Sequence, residues 1–363
     1  MFSMSLFYRN SVWQNRYSSE YRAAWLHRNS NSREGAMHDE NSSRGRELYH
    51  EIWKTIAAHF YDLPRLTNWA HWEHLYDERI TDDQSALEFA QIMVSSLGDL
   101  YTRILPASEL DAPSQGDEAD GHVVAKRLKG NIGYIAINNF SVGNIADLTE
   151  RGLKTIADCD GFILNLSDNQ GGSLGRAINC LSLFIEEGPL AELVFRSESG
   201  VNLQEFYLVN DACIMDAAQP DGSVEMRPYV RRSCLIANKP VALVIGPDSA
   251  SCCETFISAM LANRQNAHGF KGRSGKTRFC WSFGERTSGK GIMQATHNIL
   301  EGRARLRVSV GKFKAPDGHW FGDGQSDQRG IRPDYRVKGR QLKACKVALR
   351  HMRKHLGQTA AAA

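Results

Sequence analysis

Three separated pieces of this chain carry groups suited to acyl chemistry. Residues 240–245 form a short apolar run ended by Gly246, Pro247 and Asp248, and Phe256, Ile257, Met260 and Leu261 follow at helical spacing. Ser251 therefore falls at a strand-to-helix junction. Backbone N–H groups there lack intrahelical partners and the helix dipole is positive, which suits an oxyanion formed beside the serine. The bland alternative is an N-cap, a role open to Ser249 as well as Ser251. Residues 162–174 deliver a strand into Gly171–Gly172, where glycine lets backbone approach a ligand and present N–H groups. Residues 284–294 set Lys290 between Gly289 and Gly291. A serine and a lysine can work without histidine if the lysine is desolvated enough to be neutral near pH 7 and take the hydroxyl proton. Gln294 could orient that lysine, although four extended residues span roughly 13 Å, so contact requires a bend. Read singly, these are also a turn, a surface charge and a strand residue.

The elements that must position these groups follow from the pattern. Residues 47–60 repeat Leu48, Ile52, Ile56 and Phe60 every fourth position; Trp69, Trp72, Leu75 and Tyr76 suggest a second helix, and residues 86–94 a third. Residues 47–107 thus read as a helical bundle with an aromatic core. After a polar loop at 108–120 the period changes. Strands are expected at 123–124, 132–137 and 162–166, helices at 146–157 and 174–185, a hairpin within 193–232, and strands at 292–295 and 304–310. Alternating strands and helices over residues 121–340 predict a sheet covered by helices. A basic helix and tail occupy 341–363. Residues 1–46 read as an amphipathic arm, with Trp13, Tyr17, Tyr21, Trp25 and Leu26, followed by a flexible linker over 29–46.

Composition excludes several classes of partner. The 363 residues carry 44 basic and 41 acidic side chains, net charge +3, giving no electrostatic case for nucleic acid or a membrane surface. No run approaches a transmembrane length, and the N-terminus has no continuous apolar stretch of the signal-peptide kind. The 8 cysteines show no zinc spacing and read as reduced thiols, so the expectation is a cytoplasmic protein.

Taken in order, the motifs resemble the carboxyl-terminal processing, or tail-specific, proteases, a serine–lysine peptidase family. Residues 97–103 (LGDLYTR) resemble its LGD-x-HT-R segment, 133–140 its GYI-x-I-x-x-F strand, and 165–172 (NLSDNQGG) its DLR-x-N-x-GG turn. Residues 249–254 (SASCCE) resemble SASASE and 284–294 (GERTSGKGIMQ) resemble GE-x-T-x-GKG-x-x-Q; Pro316–Gly318 and 330–334 (GIRPD) match its PxG and GI-x-PD signatures. The resemblance implies an α/β fold: an N-terminal helical bundle followed by a catalytic domain of the crotonase and Clp-protease superfold. It implies Ser251 as nucleophile, Lys290 as general base, Gln294 as its partner, and an oxyanion hole from backbone N–H groups at Gly171 or Gly172 and at Cys252. It implies no metal or organic cofactor, and a peptide or protein substrate.

The departures set further expectations. Only residues 104–131 separate the LGD segment from the GYI strand, which leaves no room for the PDZ domain many relatives carry there. Substrate capture would fall to the N-terminal arm, which could also mediate homo-oligomer formation, or to residues 193–232. Tyr101 stands where many relatives have histidine, which favours Lys290 as base. Asn165 and Ser167 replace the Asp and Arg of the glycine turn. Residues 266–283 look inserted, and Lys276 within them is a rival base; Cys252 is a rival nucleophile. The resemblance implies a serine endopeptidase. An acyltransferase or peptide cyclase using the same acyl-enzyme, and a non-catalytic binding protein on the same fold, are the alternatives.

Overall fold

The computed structural model describes residues 32–105, 123–198, 200–209, 212–218, 224–229, 231–263, 279–325, 327–339 and 341–360. The N-terminal arm and Lys276 lie outside the described residues. In chain order the elements are α1 (Ser32–His59), two 3-10 turns (Leu63–Leu66 and Trp69–Trp72), α2 (Asp83–Ser95), β1 (Arg103–Ile104), β2 (Val123–Leu128), β3 (Ile132–Ile137), α3 (Ile145–Lys154), β4 (Gly161–Asn165), α4 (Leu174–Leu181), β5 (Gly188–Ser197), β6 (Gly200–Val209), β7 (Ala212–Ala218), β8 (Val224–Tyr229), β9 (Val241–Ile245), α5 (Cys252–Asn263), β10 (Cys280–Gly284), β11 (Ile292–Ile299), β12 (Ala304–Lys314), β13 (Tyr335–Arg336) and α6 (Gln341–Ala360). No described helix is long and apolar enough to cross a membrane.

A six-stranded sheet, ordered β13-β10-β9-β4-β3-β2, carries the chemistry. Its strands run parallel except for the β2–β3 pair. Both faces are covered, so the strands read as continuous apolar runs. Ile135, Phe162, Leu164, Val241, Leu243 and Ile245 point to one core with Phe140, Phe184 and Phe256. The alternate residues Ile163, Ala242, Val244, Trp281 and Phe283 meet Ala344, Ala348 and Met352 of α6 on the other face. Each such large apolar side chain contributes about 1.5–3 kcal/mol by burial. The C-terminal helix is thus part of the α/β unit. Because the central strands are parallel, their C-terminal ends emerge on one edge, and there the β4 and β9 exits lie side by side.

The second sheet is antiparallel, ordered β1-β12-β5-β6-β7-β8, with β11 also paired to β12. The helical bundle shares a core with it: Leu48, Ile52, Ile56, Ala86, Ala90 and Met93 pack with Leu306, Val308 and Val310 of β12. The backbone joins them as well, Tyr61 N donating to Ser309 O at 3.0 Å.

Four sequence expectations change. Residues 32–46, expected as linker, are the start of α1. Tertiary packing overrides their polar composition there: Gly45 crosses where a Cβ would fall 2.7 Å from Ile80 Cγ2, and Arg303 donates to Arg44 O at 2.7 Å. The second helix expected over Trp69–Tyr76 is a single 3-10 turn, Trp69–Trp72, followed by non-helical turns, and it is held by reciprocal indole bonds from Trp53 to Trp69 O and from Trp69 to Trp53 O. The single hairpin expected within 193–232 is part of a four-strand meander, β5 to β8. Residues 280–283, counted with an insertion, form β10 at the heart of the parallel sheet.

Candidate active site

Ser251 sits between β9 and α5 with φ of +58°, a left-handed conformation costing a non-glycine residue about 1–2 kcal/mol. The turn before it is fully tied. Ser249 is buried and its hydroxyl donates to Leu166 O at 2.8 Å while accepting from Gly246 N; Ala250 N donates to Asn169 O at 3.1 Å. The N-cap reading of Ser251 holds for its backbone only. Its carbonyl accepts from Glu254 N at 2.8 Å, and the Glu254 carboxylate reaches back to Ser251 N at 3.1 Å, one half of a capping box. Among the described residues no backbone N–H of α5 donates to its hydroxyl, which instead acts on the Cys252 thiol as a side-chain hydrogen-bond partner.

The glycine turn lies against this elbow. A Cβ on Gly171 would stand 2.9 Å from Ser251 Cβ and 2.7 Å from Ala250 O, and one on Gly172 would collide with Phe140 backbone; their φ values are +94° and +141°. Only glycine meets both demands. The buried Asn169 fixes the turn, its amide donating to Ile137 O at 3.0 Å and its oxygen accepting from Gly171 N at 2.8 Å. Asn165 and Ser167 bond to each other at 3.0 Å. An uncharged pair thus stands where the related motif has a charged one.

Of the two glycine N–H groups, that of Gly171 is already engaged by Asn169. Those of Gly172 and Cys252 have no oxygen acceptor among the described residues. Both face the Cys252 sulfur, a weak acceptor whose thiol also donates to Gly172 O at 3.2 Å. Burial pushes the Cys252 thiol up to about 11 and Cys253 well above the usual thiol range. Neither is a thiolate near neutral pH, which argues against a cysteine nucleophile.

The segment carrying Lys290 is threaded between the start of α5 and residues 320–331. Glu254, fully buried, organises it: its carboxylate accepts from Thr287 Oγ1 at 2.5 Å, Gly289 N at 2.9 Å and Lys290 N at 2.8 Å, besides Ser251 N. Four donors converge on one acceptor-only group. Burial raises the Glu254 pKa, and these hydrogen bonds oppose the shift. Ser288 N adds a bond to Ser249 O at 2.9 Å, so the backbone of the lysine segment is tied directly to the serine elbow.

The lysine side chain is held differently. Its ammonium lies 4.8 Å from the centroid of the Tyr101 ring and has no hydrogen bond among the described residues, neither to Ser251 nor to Gln294. Burial, reinforced by the Arg307 guanidinium, lowers its pKa below the ordinary lysine value of 10.5. Tyr101 comes from the LGD segment, where Asp99 accepts from Thr102 N and Ser309 Oγ at 2.7 Å each and so pins the turn to β12. The β-bulge between Met293 and Gln294 supplies the bend that a Lys290–Gln294 contact needs, but the Gln294 amide donates to Ile292 O at 3.2 Å.

The fold thus brings Ser251, Cys252, Gly171, Gly172 and the Lys290 backbone to one edge and leaves Gln294 turned onto its own strand. The motifs contain Glu254 and Asn169 without revealing what they hold, and Tyr101 enters them only as the residue in the place of a histidine. The spacing Ser251-x-x-Glu254 is a capping-box pattern, which was a usable signal for Glu254. Among the described residues, the group of three convergent metal-type donors, His50, His74 and Asp77, lies on the helical bundle and not here.

The profile of peptidase family S41 matches residues 131–337. A probable CtpA-like serine protease of Staphylococcus aureus is 25% identical over 233 residues, covering 64% of this chain and 38% of that protein. The chain thus spans well under half the length of that relative. Among solved structures, a photosystem II D1 C-terminal processing protease aligns with TM-score 0.58 at 13% identity, covering 84% of this chain and 97% of the other. A lipoprotein from Streptococcus agalactiae aligns with TM-score 0.57 at 16% identity, covering 87% and 97%. These two alignments establish the α/β fold with its N-terminal helices. The profile covers more than half of the 363 residues, and the chain belongs to peptidase family S41.

Proposed function

We propose that this chain is a serine peptidase that opens a peptide bond through an acyl-enzyme on Ser251, with Lys290 as general base. The observation that carries the reading is the Glu254 carboxylate, which binds the backbone N–H groups of both Ser251 and Lys290, at 3.1 and 2.8 Å. One buried group thereby sets the spacing of nucleophile and base. Neutral Lys290, favoured by burial, rotates from the Tyr101 ring toward Ser251 and takes the hydroxyl proton as Oγ attacks the scissile carbonyl. The oxyanion is received by the N–H groups of Gly172 and Cys252, after the Cys252 sulfur gives way. The ammonium then returns its proton to the leaving amine, and water, deprotonated by the same lysine, hydrolyses the ester. Gln294 joins Lys290 only after its amide leaves Ile292 O.

The substrate class in this reading is an extended segment of a peptide or protein, captured along a sheet edge. The name of the structural relative, a C-terminal processing protease, makes a cut near a carboxyl terminus the first case to try. The test is mass spectrometry of products from a peptide mixture incubated with wild-type protein and Ser251→Ala. Fragments that each complete the mass of one added water, absent with Ser251→Ala, are expected. Products joined to an added amine instead of water would replace the peptidase reading by acyl transfer, and unchanged peptides would remove it.

A further inference from the structure

The helical bundle carries a constellation that peptide-bond chemistry does not use. His50 on α1 and His74 and Asp77 after the second 3-10 turn converge on one point: His50 Nε2 lies 2.9 Å from Asp77 Oδ1 and His74 Nδ1 lies 2.9 Å from Asp77 Oδ2. The three donor atoms lie within 4.8 Å of one another, and the imidazole centroids are 4.9 Å apart. We propose that His50, His74 and Asp77 form a divalent-metal site of zinc type that clamps the turn after Trp72 to α1.

Four features support it. Two imidazoles and one carboxylate are a ligand set that zinc accepts with a fourth position left for water. The two 2.9 Å contacts run to different oxygens of the Asp77 carboxylate. An ion at about 2.0–2.1 Å from its ligands therefore enters between that carboxylate and the two rings in place of two N–H protons, with the imidazole nitrogens, at most 4.8 Å from each other and from the carboxylate, closing on it. The cage is held open from outside: Tyr49 OH donates to Trp72 O at 2.6 Å and the Trp53–Trp69 indole pair locks the same two segments, so the ligands are positioned without the metal. Access exists too, because the His74 side chain is 66% exposed while His50 and Asp77 are half-buried.

The test uses the full chain without an affinity tag. Co(II) titration of the wild type should give visible bands of a tetrahedral ion saturating at one equivalent, and Zn(II) should abolish them. Isothermal titration with Zn(II) should show one site, weakened at least tenfold by His50→Ala, by the largely exposed and structurally safe His74→Ala, and by Asp77→Asn, with circular dichroism confirming that each variant is folded. No saturable uptake, or uptake unchanged in the His50→Ala/His74→Ala double variant, would overturn the proposal.

Discussion

The serine elbow and the Lys290 side chain stand at the same edge of one sheet and are held by opposite means. Around Ser251 nearly every polar backbone group is spoken for: Ser249, Ala250, Asn169 and Glu254 close a continuous hydrogen-bond web, and Gly171 presses so close that a Cβ has no space. Lys290 shares that web through its backbone alone. Its ammonium rests on the Tyr101 ring, in partial burial, with no hydrogen bond among the described residues. The difference teaches a division of labour. In the proposed mechanism the backbones of Ser251 and Gly171 are held by hydrogen bonds throughout, while the N–H groups of Gly172 and Cys252 receive the oxyanion once the Cys252 sulfur moves aside. Lys290, the base of that mechanism, is held by its side chain only against the Tyr101 ring, and its burial outweighs the opposing influence of Cys252 and favours the neutral amine.

The sharpest way to break this contrast is Glu254→Ala, which strikes the shared anchor. Removing the carboxylate leaves four donors buried without an acceptor, so stability should fall by about 3–5 kcal/mol and activity by at least roughly a hundredfold. Chemical denaturation with parallel rate measurement checks both; an unchanged midpoint and rate would mean Glu254 anchors nothing. A smaller effect is expected on the lysine side. Tyr101→Ala removes the aromatic rest that holds the ammonium in its resting position, worth about 0.5–2 kcal/mol, so kcat/KM should rise roughly 2- to 30-fold with little change in melting temperature. Tyr101→Phe keeps the ring and should stay within about twofold of wild type. Equal changes in the two variants would move the role from the ring to the phenol oxygen.

These residues also mark how far the sequence could be read. The apolar runs of β3, β4 and β9 are legible because buried parallel strands have no polar face, and Gly171–Gly172 announces a close approach that the structure requires. The bundle's boundaries are less legible: polar residues 32–46 are helical because Gly45 and Arg303 give them something to pack against, which no local pattern reports. At the site, Ser251 and Lys290 stand out by type and flanking glycines. Which glycine N–H is free was not legible, since it depends on Asn169 folding back onto Gly171. The place of Gln294 also depends on a side-chain torsion that spacing cannot specify.

The central claim is that Ser251 is activated by Lys290, and the most direct measurement is the pH dependence of fluorophosphonate labelling, read by intact mass. The base works only when neutral, so the wild-type rate should rise as pH rises through an apparent pKa below the ordinary lysine value of 10.5. Labelling should vanish in Ser251→Ala, collapse in Lys290→Ala and persist in Lys276→Ala. A label placed on a residue other than Ser251, or the same rate and pH profile in Lys290→Ala as in the wild type, would contradict the account.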